Sequence, residues 1–214
     1  MDPALLQFGL TAFVTLLVVV DPVGVAPMFV ALTRSQSSAL RRRTLLRAVS
    51  IAALVALFFL LAGRLLLTHL GVSVHAFAIS GGVLLFATAF PMLFGHRPVL
   101  QAPERAEVAE HGDDPAIFPL AIPLLSGPGT IATLLLLANQ ARADPLRIGA
   151  LVLVTCAVFL LTWTILLAGE RLLARLGTGG INILTRVLGL VLAALAVQYV
   201  LDGIGGYYAA LVRG

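Results

Sequence analysis

Six times along this chain an apolar stretch runs long enough to cross a lipid bilayer: residues 5–33, 46–69, 73–95, 115–140, 146–169 and 183–206. A spanning helix needs about 20 predominantly apolar residues. Hydrocarbon offers backbone N–H and C=O groups no partner, so the segment must satisfy them internally. Composition agrees with that constraint. Of 214 residues, 60% are hydrophobic and only 11% charged, too few charges to keep a soluble domain of this size dispersed. The sequence therefore predicts an all-α membrane protein with six transmembrane helices in a single transmembrane domain over residues 1–214. The start, Met-Asp-Pro-Ala-Leu-Leu, lacks the positive charge of a secretory signal, so residues 5–33 are retained as a span. Cys156 stands alone, which excludes an intrachain disulfide.

All 14 basic residues are arginine, and they gather at segment ends rather than in a nucleic-acid-binding patch. Arg34, Arg41, Arg42, Arg43 and Arg47 follow the first span. Arg97 and Arg105 lie in the connector 96–114, and Arg171, Arg175 and Arg186 bracket the last junction. The opposite side receives only Arg64, Arg142, Arg147 and Arg213; Arg64 stands about a turn from its helix end, where it can snorkel. The positive-inside rule makes the arginine-rich loops cytoplasmic and places both termini outside. The acids of 96–114, among them Glu104, Glu107 and Glu110, read as a solvated cytoplasmic loop.

Three spans precede that loop and three follow it. Asp21-Pro22-Val23-Gly24 falls inside the first segment and Ser126-Gly127-Pro128-Gly129-Thr130 inside the fourth. Gly82-Val83-Leu84-Leu85 aligns with Gly189-Leu190-Val191-Leu192. Because three is odd, a second half built like the first must enter from the opposite side. The expected fold is thus two inverted three-helix repeats, about 5–95 and about 115–206, as in many secondary transporters.

The first segment also explains why Asp21 is where it is. Its 29 residues would make roughly 43 Å of helix against about 30 Å of hydrocarbon, so the span must tilt, bend or break. Asp before Pro is a helix-start pair, the acid capping and proline at the first helical position, where its missing N–H costs nothing. Helix one is therefore expected to break at Asp21, with Pro27 as a further kink. Helix four is expected to break at Ser126 or Gly127, with Pro128 opening its second piece. Both breaks lie well inside the apolar spans, near the midplane. Irregular backbone at that depth is tolerated where it is enclosed or lines a polar cavity, and helix starts favour anions. Donors near 23–26 and 129–132 would suit a carboxylate, while Asp21 with neighbouring carbonyls would suit an ammonium group. Gly24, Gly127 and Gly129 leave little apolar surface, so the expected ligand is a small zwitterion. Each feature has a plainer reading, in which Asp21 and Ser126 merely cap their own helices.

At these residues the chain resembles the MarC family of bacterial and archaeal inner-membrane proteins, which includes the SnatA-type small neutral amino acid transporters. The resemblance rests on DPVGVAPMF (21–29), the arginine-rich stretch after it, ISGGVLLF (79–86), FPLAIPLLSGPGTIATLLLL (118–137), and INILTRVLGLVL ending in QYVLDGI (181–204). It implies substrate-binding positions at Asp21, Pro22, Gly24, Pro27, Ser126, Gly127, Pro128, Gly129 and Thr130. It also implies transport of small neutral amino acids coupled to an ion gradient, proton or sodium, in the inner membrane. Some members carry Asn in place of Asp21, which favours a polar binding or capping role over an obligatory proton carrier.

Other residues read more simply. Gly81, Gly82 and Gly189 would let helices approach closely. Gln198 would hydrogen-bond between helices, and Glu170 and Asp202 would sit at the interface. His69, His75, His96 and His111 show no metal-ligand spacing, and no cofactor motif or Ser-His-acid set is present. The leading expectation is a small-amino-acid transporter working by alternating access, with membrane lipids as surroundings and a homo-oligomer compatible with six small helices. A passive channel or non-transporting scaffold is the alternative. With one deep acid and no base beside it, the chain is not expected to be an enzyme.

Overall fold

A computed structural model describes residues 2–94, 114, 116–141 and 144–213. Its elements are α1 (Pro3–Val20), α2 (Pro22–Leu32), α3 (Ser38–His69), α4 (Val74–Phe94), an irregular helical segment α5 (Ala116–Leu125), α6 (Pro128–Gln140), α7 (Pro145–Leu167) and α8 (Gly169–Arg213). Five stretches are long and apolar enough to cross a bilayer: Pro3–Leu32, Ser38–His69, Val74–Phe94, Pro145–Leu167 and Gly179–Val212. The pair α5 and α6, bent by 49° at their junction, makes a sixth if counted as one span.

Local chemistry sets the ends of these helices. Asp2 caps α1 by accepting from the Ala4 N–H at 3.0 Å, and Asp144 caps α7 through the Leu146 N–H at 3.0 Å. In both cases proline supplies the first helical residue, the position where it forfeits no bond. Ser37 caps α3. That helix ends where Gly71 turns left-handed (φ 67) and the Val72 N–H reaches back to the Leu67 carbonyl at 2.9 Å, a glycine-dependent helix stop.

Burial is inside out relative to a soluble protein. Leu54, Phe58, Leu61 and Leu65 on α3, and Leu153 and Leu160 on α7, are exposed. The buried stripe of α3 is large at its ends, with Leu45, Val49, Leu60 and Leu67, and small where it carries Ala48, Ala52, Ala56 and Gly63. Lipid covers large apolar side chains as well as protein would, so small residues go where backbones must approach. The most extensive crossing joins α4 to α8. A Cβ on Gly82 would lie 2.6 Å from the Ala196 carbonyl, one on Gly189 would lie 2.8 Å from Met92 Cβ, and one on Gly203 would lie 2.8 Å from the His75 carbonyl. Buried hydroxyls on α7 are satisfied within the helix, Thr155 donating to the Leu151 carbonyl and Thr162 to that of Val158, each at 2.8 Å.

Several expectations need correction. The arginine-rich stretch 34–47 is helical from Ser38 onward; its Leu, Ala and Arg residues are all strong helix formers. The junction 170–182 is also largely helical, broken only at Gly177 (φ 63, ψ 176). The last span runs well beyond 183–206. Gln198 donates to Asp202 one turn along its own helix at 2.7 Å, rather than across to another. Residues 95–113, with Arg97, Arg105, His96, His111 and the acids Glu104 to Asp113, lie outside the described residues.

Candidate functional site

Asp21 alone separates α1 from α2, and it serves both. Its backbone is left-handed (φ 45, ψ 60), the one such non-glycine residue among those described. Aspartate tolerates that conformation better than most residues because its short side chain can bond locally. The Asp21 N–H donates to the Leu17 carbonyl at 3.1 Å, closing α1. Its carboxylate accepts from the Gly24 N–H at 3.0 Å, opening α2. A Cβ on Gly24 would fall on that carboxylate, so the cap requires glycine there. Pro22 and Pro27 have no N–H. The carbonyls of Val18 and Val23, four residues before each, are thereby left without a helical donor.

The second break is built differently. Within α5, Phe118 (φ −124, ψ 128) and Ile122 (φ −132, ψ 124) are extended, each immediately before a proline, Pro119 and Pro123, joined by cis peptide bonds. Residues before proline avoid the helical region, so this piece is not the regular half-helix expected. The Ser126 N–H then bonds to the Ala121 carbonyl, five residues back, at 3.0 Å. Gly127 is the cap residue of α6, extended at φ −79 and ψ 179, with no side chain to offer, and Pro128 occupies the first helical position. A Cβ on Gly127 would strike the Pro123 carbonyl.

Ser126 is not the cap. Its residue is 1% exposed and its Oγ has no hydrogen-bond partner among the described residues. Thr130 donates its hydroxyl to the Leu125 carbonyl at 3.2 Å, so one free carbonyl of the break is answered. The N–H groups of Gly129 and Thr130, in the first turn of α6, have no side-chain cap.

The two breaks are neighbours. A Cβ on Gly129 would contact Val19 at 3.8 Å and Leu85 at 2.5 Å, which sets the start of α6 beside the end of α1 and against α4. Asp21, Pro22, Gly24 and Pro27 thus lie within two turns of chain, Ser126 to Thr130 form a second set, and the approach of Gly129 to Val19 joins them. No hydrogen bond between the two sets exists among the described residues. The arrangement sets the span that carries a capped carboxylate beside an uncapped helix start and a buried serine. A group with both charges can be held between such poles.

Three features were not anticipated. Arg41 on α3 pairs with Glu170 on α8 and stands 5.2 Å above the Phe29 ring of α2. The partners are 129 residues apart, and nothing local announces the pairing. Thr133 on α6 is wholly buried and lies within reach of the Tyr199 hydroxyl on α8, a residue that reads as ordinary helix filler. Pro119 and Pro123, four residues apart, did signal irregular backbone.

The profile of the MarC family integral membrane proteins matches residues 6–208. A UPF0056 membrane protein of Methanocaldococcus jannaschii is 37% identical over 204 residues, covering 94% of this chain and 98% of its own. The UPF0056 inner membrane protein YhgN of Escherichia coli is 37% identical over 195 residues, covering 91% and 95%. A UPF0056 membrane protein of Pyrococcus abyssi is 35% identical over 197 residues, covering 92% and 94%. No solved structure matches. The chain belongs to the MarC family of multi-pass integral membrane proteins.

Proposed function

We propose that this protein is a secondary transporter of small neutral amino acids, of the glycine and alanine class, driven by a proton or sodium gradient. The observation that carries the reading is the start of α6. It is an uncapped, enclosed helix N-terminus with an unpaired Ser126 hydroxyl, set beside the span that holds Asp21. Leaving a buried hydroxyl unsatisfied costs about 1–3 kcal/mol, so its retention favours a partner that comes and goes. The substrate carboxylate takes the Gly129 and Thr130 N–H groups and the Ser126 hydroxyl. Its ammonium takes the Asp21 oxygen not engaged with Gly24, with the Val18 carbonyl nearby. Gly24 N–H, already held by Asp21, is not a substrate donor. Pro22, Pro27, Gly127 and Pro128 shape the two breaks and so place those groups.

Correspondences between the halves favour an inverted repeat with both breaks near the midplane. Pro22 and Pro128 open the second pieces of the two broken spans at an offset of 106. The caps Ser37 and Asp144, and the crossing glycines Gly82 and Gly189, are offset by 107. Gly63 on α3 faces Leu135 on α6 as Gly169 on α8 faces Val30 on α2. On this reading the arginine-rich side is cytoplasmic and both termini face outward.

The test is counterflow of labelled glycine and alanine in proteoliposomes, for wild type, Asp21→Ala and Ser126→Ala. Wild type should exchange both. Asp21→Ala should abolish exchange, and Ser126→Ala should cut it at least tenfold while leaving the melting temperature unchanged or higher. Folded wild-type protein that exchanges no small amino acid would overturn the reading and return the channel or scaffold alternative.

A further inference from the structure

On the arginine-rich side, Phe29, Gln36, Ser38, Arg41, Arg42, Leu45, Leu167 and Glu170 line a cavity of about 300 Å³. We infer that this cavity is a docking port for the carboxylate of a small solute, in which Arg41 receives the carboxylate and Glu170 holds Arg41 in its absence. The inference rests on the transporter reading for the identity of the solute, while the port itself is argued from the cavity.

The two partners of the ion pair are unequal. The Arg41 side chain is 17% exposed and that of Glu170 68%. Arg41 is fixed from below by the Phe29 ring at 5.2 Å, a face-on cation contact that holds a guanidinium in place. Glu170 reaches in from the start of α8 and is largely in water, where an ion pair contributes little. A solute carboxylate can therefore displace Glu170 without moving Arg41, since the guanidinium donates equally well to either carboxylate. Arg42 adds a second positive charge, so the cavity remains net positive with Glu170 in place. Thr44 pins Gln36 by donating to its Oε1 at 3.0 Å, which leaves the Gln36 amide N–H donors without a protein partner among the described residues. The polar lining is thus donors and cations apart from Glu170, with the Ser38 hydroxyl able to serve either way.

Position supports a port over a surface brace. Phe29 belongs to α2, eight residues past Asp21, roughly 12 Å along that helix. Gly169, next to Glu170, faces the same helix: a Cβ there would meet Val30 at 3.4 Å and Ala26 at 3.9 Å. Exchange of Glu170 for a solute therefore loosens the α8 corner from the half-helix that begins at the Asp21 break. The floor is enclosed: Phe29 and Leu45 are each 1% exposed, unlike a groove open to lipid tails.

Trp163, the only tryptophan, lies one turn before Leu167 on α7 and serves as reporter. Purified protein is titrated with glycine and with propionate, a carboxylate lacking the ammonium, and Trp163 emission is followed. Glycine half-saturation is measured by counterflow in parallel. Glu170→Gln should lower both midpoints threefold or more, Arg41→Gln should raise them at least tenfold, and Arg41→Lys should fall between. The exchange of charges, Arg41→Glu with Glu170→Arg, should recover the melting temperature but not the affinity. Recovery of both would make the pair a structural brace and overturn the port. So would a Trp163 response to phosphatidylglycerol in place of propionate, which would assign the cavity to lipid headgroups. Because the propionate titration needs no transport, wild type that binds propionate at Arg41 but exchanges no amino acid would uphold the port and overturn the transporter reading. Unchanged midpoints in the variants, with glycine exchange intact, would do the reverse.

Discussion

Gly24→Ala tests the first break through the sign of its effect. In an ordinary helix the substitution stabilises by about 1 kcal/mol, because alanine gives up less backbone freedom than glycine. Here the new Cβ would land on the Asp21 carboxylate, overlapping the oxygen that is not bonded to the Gly24 N–H. The short side chain has to swing away and the cap is lost. A cap is worth about 0.5–2 kcal/mol, and a buried carboxylate stripped of its donor costs about 1–3 kcal/mol more. Set against the helical gain, the net expectation is a loss of about 0.5–4 kcal/mol. The assay is reversible unfolding in mixed micelles followed by Trp163 emission, run as a cycle with Asp21→Ala. Asp21→Ala should itself be costly, since alanine neither caps nor favours φ 45. In that background, however, nothing remains for the Gly24 Cβ to strike, and Gly24→Ala should stabilise. The cycle should thus show a coupling of about 2 kcal/mol or more. Gly24→Ala that stabilises the wild type, or two changes that simply add, would refute the claim that one carboxylate organises this break.

Two further substitutions probe the frame. Gly82→Ala places a methyl group 2.6 Å from the Ala196 carbonyl and 2.7 Å from a Val200 methyl, so it should destabilise by about 1–3 kcal/mol. Gly205→Ala, where nothing lies within 4 Å, should not, and the difference in melting temperature checks the α4–α8 crossing. Gly177 has open space around a Cβ but adopts φ 63 and ψ 176, a region all but closed to other residues. Gly177→Ala should therefore cost about 1–3 kcal/mol by conformation alone, read as a lower melting temperature with α4–α8 packing intact.

What the sequence revealed follows from which forces are local. Spans were legible because a bilayer demands length, and the run of apolar residues records it. Asp21 as the cap of α2 and Pro22 as its first residue were legible directly, since Asp21, Pro22 and Gly24 act on one another within a single turn. At the second, Pro128 marked the start of α6 correctly, but Ser126 and Gly127 were equal candidates for the cap. Gly127 takes the position because the Pro123 carbonyl leaves no room for a side chain there, a fact that depends on how α5 folds. The extended Phe118 and Ile122 were implied by Pro119 and Pro123 yet hidden by the strong apolarity around them. Hidden altogether was Arg41 with Glu170. Each looked like an interfacial charge, and only the packing of α2 against the α8 corner brings them together.

The two breaks share a proline start and differ in everything that fills them, and that difference constrains how the protein can move. Gly82 admits the Ala196 carbonyl and Gly203 that of His75, which fits α4 closely to α8. Sliding these helices would drive those carbonyls into neighbouring side chains, so on the transporter reading they form the fixed frame. The half-helices α2 and α6 are each tethered instead through a short break, Asp21 on one side and Ser126-Gly127 on the other. One hinge is held by its own carboxylate. The other has an unpaired hydroxyl and an open first turn. On the transporter reading, a substrate binding at α6 supplies the cap that the chain withholds, and so stiffens one hinge to resemble the other. The empty protein would then be the more mobile form at α6 and the loaded one the more rigid. That ordering predicts slower amide exchange at Ile131 to Leu134 with glycine bound, and unchanged exchange along α4.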